Sequence, residues 1–169
     1  MNNILKNHKY TLFAVVLTIF ALVGTFLFFN SSYQVIPYGE LSDNEFKQPL
    51  GEIAMSEGIK NVEFSYINYS DETIAINNLY TTCMCTKAKI QIEDTQSSFA
   101  GMKGHTSGLK PINPQMELRP GETMKIIAEF DPNAHGPEAT GPITRSIIMD
   151  TDNSLASQIE FTFSGEVIK

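Results

Sequence analysis

Val62-Glu63-Phe64-Ser65-Tyr66 alternates apolar and polar side chains. Successive side chains of a strand point to opposite faces, so a period of two marks a half-buried β-strand. The rhythm returns at Ile74 and Ile76, in a run that reaches Leu79. It recurs at Ala88, Ile90 and Ile92, which alternate with Lys89 and Gln91. Met124, Ile126, Ala128 and Phe130 alternate with Lys125 and Glu129, and Ile159, Phe161 and Phe163 with Glu160 and Thr162. Ile143 to Met149 is a further β-rich run. Turn residues separate these stretches: Tyr69-Ser70-Asp71-Glu72, Asp131-Pro132, Thr151-Asp152-Asn153, and the Gly- and Pro-rich loop Asn133 to Pro142. Arg119-Pro120-Gly121-Glu122 puts Pro and Gly at the second and third positions of a type II turn. No stretch after residue 30 repeats apolar residues at 3.6 over three turns. The pattern predicts an all-β chain, a two-sheet antiparallel β-sandwich of immunoglobulin-like size with about seven strands.

Ahead of these strands, Thr11 to Phe29 carries no charge. A helix of that length spans about 28 Å, close to the hydrocarbon thickness of a bilayer. Lys6 and Lys9 precede it, and no Lys or Arg follows until Lys47. The positive-inside rule then leaves the amino terminus in the cytoplasm and the body outside, in the periplasm or extracellular space. The apolar run is too long for a cleaved signal peptide and ends in Phe-Leu-Phe-Phe-Asn, a poor cleavage site. The predicted organisation is a cytoplasmic tail over 1–9, a transmembrane signal anchor over 10–30, a juxtamembrane linker over 31–48, and the sandwich over 49–169.

Formal charge is −7, and both lysines of the tail lie on the far side of the apolar run, so the remainder is more acidic still. With no basic cluster in that remainder, nucleic-acid binding has no electrostatic footing. The chain has no Trp; of its eleven Phe, five lie within Thr11 to Phe29, and the six beyond it are available, with Tyr, to anchor a core.

The only two cysteines stand one residue apart in Tyr80-Thr81-Thr82-Cys83-Met84-Cys85-Thr86. In a flat strand their Cα atoms would lie about 6.6 Å apart, near the outer limit for a disulfide. A turn centred on Met84 would bring the sulfurs together. Three readings follow: a pair of small buried hydrophobes at a strand end, which leads; a soft-metal or redox site; and a disulfide. The metal reading takes Cys83 and Cys85 as thiolates for Cu(I), with the Met84 thioether as a weak further ligand. Asp94 to Glu117, long and without period, supplies Met102 or His105 to complete the sphere.

The order of these pieces resembles a bacterial family of extracytoplasmic domains of unknown function. Its pattern is a strand ending in Phe-x-x-x-Asn, a strand leading to Ser/Thr-Cys-Gly-Cys-Thr, a Pro-Gly turn, a strand ending near Asp-Pro, and a closing Gly-x-Val. The matching residues are Phe64 to Asn68, Thr82-Cys83-Met84-Cys85-Thr86, Pro120-Gly121, Phe130-Asp131-Pro132 and Gly165-Glu166-Val167. The resemblance covers about residues 50–169 and implies an immunoglobulin-like sandwich similar to Hydin and major-sperm-protein domains, commonly secreted or membrane-tethered. Met84 departs from the family's Gly, and the Asp94–Glu117 connection is longer than usual.

The function expected first is a membrane-tethered, extracytoplasmic binding or assembly module of the cell envelope, with an envelope protein as partner and no cofactor. The alternative is Cu(I) binding through Cys83-Met84-Cys85. An enzyme is not expected: His105 and His135 are both distant in sequence from the cysteines, and no Gly-rich phosphate loop, His-Glu-x-x-His or serine-elbow motif occurs. Asn30-Ser31-Ser32 and Asn68-Tyr69-Ser70 match a glycosylation pattern. In right-side-out membrane vesicles, a tag placed after Lys169 should be cut by added protease. Protection of that tag until the vesicles are lysed would reverse the predicted orientation.

Overall fold

The computed structural model describes residues 46–104, 112–154 and 156–169. The chain divides into two compact units, Met1–Val35 and Ile36–Lys169, and every described residue belongs to the second. The anchor predicted over 10–30 therefore lies outside the described residues, among which no helix is long and apolar enough to cross a membrane.

The described residues form nine strands: β1 (Lys47–Ala54), β2 (Lys60–Ile67), β3 (Ile74–Thr81), β4 (Thr86–Ile92), β5 (Thr95–Gln96), β6 (Met116–Leu118), β7 (Thr123–Phe130), β8 (Gly141–Thr151) and β9 (Gln158–Ile168). One 3-10 turn, Met55–Glu57, follows β1. The strands make a sandwich of two sheets, ordered β1-β9-β8-β3-β6 and β2-β7-β4-β5. All six alternating or β-rich runs of the sequence are strands. Three strands escaped the reading: β1, which begins inside the predicted linker, and the short β5 and β6 at the borders of the rhythm-free segment.

The prediction of an antiparallel sandwich needs one correction: β1 pairs in parallel with β9, from Lys47 opposite Thr162 to Ala54 opposite Ile168. The cause is that β1 adds to the edge beside the last strand, with the whole domain intervening. Its mostly exposed side chains leave little alternation for the sequence to display. The pairing is interrupted between Pro49 and Glu52, where Gly51 takes φ 67°.

Each sheet turns its alternating apolar residues inward. Phe161 sits at the centre of an aromatic cluster, with ring centroids 5.0 Å from Phe46, 5.6 Å from Phe64 and 6.5 Å from Tyr66. Phe130 and Phe163 make a second edge-on pair across the sandwich, at 5.7 Å. Offset and edge-on geometries of this kind suit the ring quadrupole and add to the area buried.

Asn68 ties the end of β2 to the Pro-Gly turn. Its backbone N–H donates to the Glu122 carbonyl, and its carbonyl accepts from the Gly121 N–H. Its Nδ2 donates to the carbonyls of Glu72 and Leu118, while Oδ1 accepts from the Ser70 N–H and hydroxyl. Asn68 is wholly buried. Both amide hydrogens are engaged, so its match to the glycosylation pattern reflects a structural role.

Gly165 of β9, opposite Ile143 of β8, lets β1 come close. A Cβ there would stand 2.7 Å from the Gly51 carbonyl oxygen and 2.9 Å from Ile53 Cδ1. The first of these is backbone and cannot swing aside. Gly165→Ala is therefore expected to lower unfolding stability by about 1–3 kcal/mol, read as an earlier midpoint in urea titration of the full-length chain in detergent. An unchanged midpoint would mean that β1 adjusts freely.

Candidate functional site

β3 and β4 belong to different sheets, so the chain crosses the sandwich between Thr81 and Thr86. The crossing is made by a tight turn in which the Thr86 N–H donates to the Cys83 carbonyl at 3.1 Å. Met84 and Cys85 are its central residues. The turn folds the flat spacing inward, bringing the Cα atoms of Cys83 and Cys85 to 5.3 Å, and the two sulfurs form a disulfide. Of the three readings left open by the sequence, the structure takes the disulfide, and the leading one, two unlinked buried hydrophobes, is set aside. The physical reason is the turn: it converges side chains that a strand would hold parallel.

Three groups hold the turn in place. The buried Thr81 hydroxyl lies 3.0 Å from the Cys83 carbonyl and 2.9 Å from the Thr86 carbonyl, capping both at the crossing. Thr82 is locked to β8, its N–H donating to the Ser146 carbonyl and its Oγ1 accepting from the Ser146 N–H. The Cys85 carbonyl accepts from the Asp131 N–H at 2.9 Å.

These tethers decide what else reaches the sulfurs. Because Thr82 is fixed beside Ser146, the preceding residue on β8, Arg145, places Nε 3.1 Å from Cys85 Sγ. Because β4 and β7 pair with Thr86 opposite Phe130, the chain leaving β7 begins at Cys85. Asp131 then closes a small turn through its own side chain, Oδ1 accepting from the Asn133 N–H, and Gly136 N–H donates to the Asn133 carbonyl. That loop carries His135, whose Nε2 stands 3.5 Å from Cys83 Sγ. Cys83, Cys85 and His135 place their ligand atoms within 4.8 Å of one another.

Burial differs across the group. Cys85 is buried at 3% exposure, Cys83 is half-buried, and His135 and Met84 are exposed, Met84 at 61%. Arg145 is half-buried and stacks toward the Phe130 ring, 5.9 Å from its centroid. Burial pulls its guanidinium below the usual pKa. Among the described residues no carboxylate forms an ion pair with it. Arg145 Nη1 donates to the Thr144 carbonyl at 2.8 Å, and its Nε faces Cys85 Sγ; a cation partly removed from water without a counter-charge favours negative charge beside it. Beside the disulfide lies a cleft of about 250 Å³ lined by Met84, Cys85, Ile59, Ala134 and the Lys87–Glu129 ion pair.

Cys83 and Cys85, both named from the sequence, are brought together. Met102 reaches the same end of the sandwich through its backbone, bridging in parallel to Thr81. The segment around it first pairs with β4, Ala100 opposite Ala88, and then crosses to β3. His105, the imidazole expected to complete the site, lies outside the described residues. His135 and Arg145 were missed. Only the β4–β7 register and the Thr82–Ser146 tether bring them in, and neither pairing leaves a mark in the local sequence.

No family model matches the chain, and no curated protein matches it. Solved structures do. One is a protein of unknown function from Porphyromonas gingivalis W83, with a TM-score of 0.51 and 12% identity, covering 72% of this chain. The chain spans 44% of that protein. Another is a family 123 glycoside hydrolase from Clostridium perfringens, with a TM-score of 0.48, 11% identity, and 72% and 23% coverage of the two chains. At such identity the first likeness concerns the fold alone.

Thr81 can be tested directly. Thr81→Val keeps the shape but leaves the Cys83 and Thr86 carbonyls without their shared hydroxyl, at a cost of about 1–3 kcal/mol. The expected readout is a lower thermal midpoint of the full-length oxidised chain. No change would assign the crossing to its backbone bonds alone.

Proposed function

We propose that this chain is an immunoglobulin-like module of the cell envelope, tethered by residues 10–30 with its amino terminus in the cytoplasm. Its working end is the β3–β4 crossing, where it binds a soft metal ion, Cu(I), when the two cysteines are thiols. The observation that carries this reading is the convergence of two sulfurs and one imidazole nitrogen within 4.8 Å.

The donor set suits the ion. Thiolate and imidazole ligands favour Cu(I) over hard cations, and Cu(I) accepts three ligands readily. Two thiolates and one Cu(I) leave a single negative charge, which Arg145 offsets through the N–H it directs at Cys85 Sγ. A doubly charged ion in the same ligands would be neutral and would leave that half-buried cation uncompensated. His135 fills the role that sequence reasoning gave to His105.

The module is non-catalytic in this reading, and an envelope protein is its expected partner. Tethering to the membrane raises its concentration near other envelope components. A sandwich with exposed loops at one end is suited to such contacts.

Titration of the reduced, full-length chain in detergent with Cu(I), against a chromogenic chelator, tests the reading. The expected result is one tightly held Cu(I) per chain, none in the Cys83→Ser, Cys85→Ser double variant, and affinity weakened by about 10–100-fold in His135→Ala. Equal copper content in wild type and double variant would remove the metal reading.

A further inference from the structure

We propose that the Cys83–Cys85 disulfide is a directional thiol-exchange site, at which a partner dithiol attacks Cys83 and Cys85 leaves as the thiolate facing Arg145. This goes beyond metal binding and does not require it, although it is also the step by which an oxidised pair would be opened to a metal.

Access sets the direction first. Thiol–disulfide exchange needs an attacking thiolate to reach one sulfur while charge develops on the other. Cys83 is half-buried, next to exposed Met84 and exposed His135, whereas Cys85 is 3% exposed. Cys85 Sγ is also covered by Arg145 Nε at 3.1 Å and by Thr86 Oγ1 at 3.8 Å. An incoming sulfur therefore meets Cys83.

Charge gives the same direction. The leaving sulfur takes the electron pair of the broken bond. A guanidinium N–H already points at Cys85 Sγ, from a side chain with no carboxylate partner among the described residues. A charge-assisted hydrogen bond to the nascent thiolate strengthens as the bond breaks. Cys83 Sγ has weaker company, the Cys85 N–H at 3.3 Å and His135 Nε2 at 3.5 Å.

The exchange balances. A thiolate of the partner bonds to Cys83 Sγ, the Cys83–Cys85 bond breaks, and its electron pair goes to Cys85 Sγ. The partner's second thiolate then attacks its own sulfur in the mixed disulfide and displaces Cys83 as a thiolate. The partner leaves oxidised by two electrons, as a disulfide, and the pair is left as a dithiol. The two protons given up by the partner's thiols pass to solvent and the released sulfurs, with His135 positioned at Cys83.

The test uses the oxidised full-length chain in detergent, without metal. Reduced glutathione supplies the first step, and acid quench, alkylation and peptide mass spectrometry locate the adduct. The expected result is glutathione on Cys83 with Cys85 alkylated, in at least about ten-fold excess over the reverse pattern. Dithiothreitol, a dithiol, completes the reduction. Its rate should fall by about ten-fold in Arg145→Gln and recover in part in Arg145→Lys, which keeps the cation. Adducts on Cys85, adducts on both sulfurs equally, or a disulfide inert to both thiols would overturn the proposal. So would an unchanged rate in a folded Arg145→Gln. The adduct position is read on the wild-type chain, so it stands even where a variant fails to fold. The metal titration begins from the dithiol form, which keeps the two readings separable.

Discussion

The crossing from one sheet to the other between Thr81 and Thr86 is the constraint on which the rest of this protein depends. A chain that must pass from one sheet to the other in four residues cannot stay extended, and the backbone groups it turns out of the strand ladders need new partners. The Thr81 hydroxyl, the Ser146 backbone and the Asp131 N–H meet that demand. In doing so they bring together the two cysteines, Arg145 of β8 and the loop after β7. The candidate site is thus a by-product of solving a backbone problem.

A comparable solution operates where β2 gives way to β3. Asn68 is fully buried yet has every polar atom of its side chain engaged, binding its own turn to that of Arg119–Glu122. Buried polar groups are costly alone and specifying when satisfied. Among the described residues no buried side-chain nitrogen or oxygen lacks a partner. The crossings at both ends of β3 rest on the same device: one short polar side chain accepting or donating where strand pairing stops. The aromatic cluster around Phe161 then fills the space between the sheets.

Electrostatics at the site follows from burial. Across the domain the ion pairs are exposed or rim-like, as with Lys125–Glu63 and Lys169–Glu138, and such pairs contribute little. Arg145 differs, being half-buried over Phe130 and directed at a sulfur. A cation in that position biases whatever chemistry the sulfur undergoes toward negative charge, whether as a metal-bound thiolate or as a leaving group. The two readings of the site share this one asymmetry.

The sequence by itself determined the all-β class and six of the strands, because a half-buried strand must alternate its side chains and alternation is local. The Pro120-Gly121 turn was legible for the same reason, since Gly121 takes φ 74° as a type II turn demands. The edge strand β1 was not, because it lies largely exposed and prints no period. Only the tertiary structure decided which sheet each strand joins, that β1 runs parallel to β9, and that His135 and Arg145 stand at the cysteines. Those are matters of register between strands far apart in the chain. Register is set by the packing of whole faces, and no short window of residues contains it.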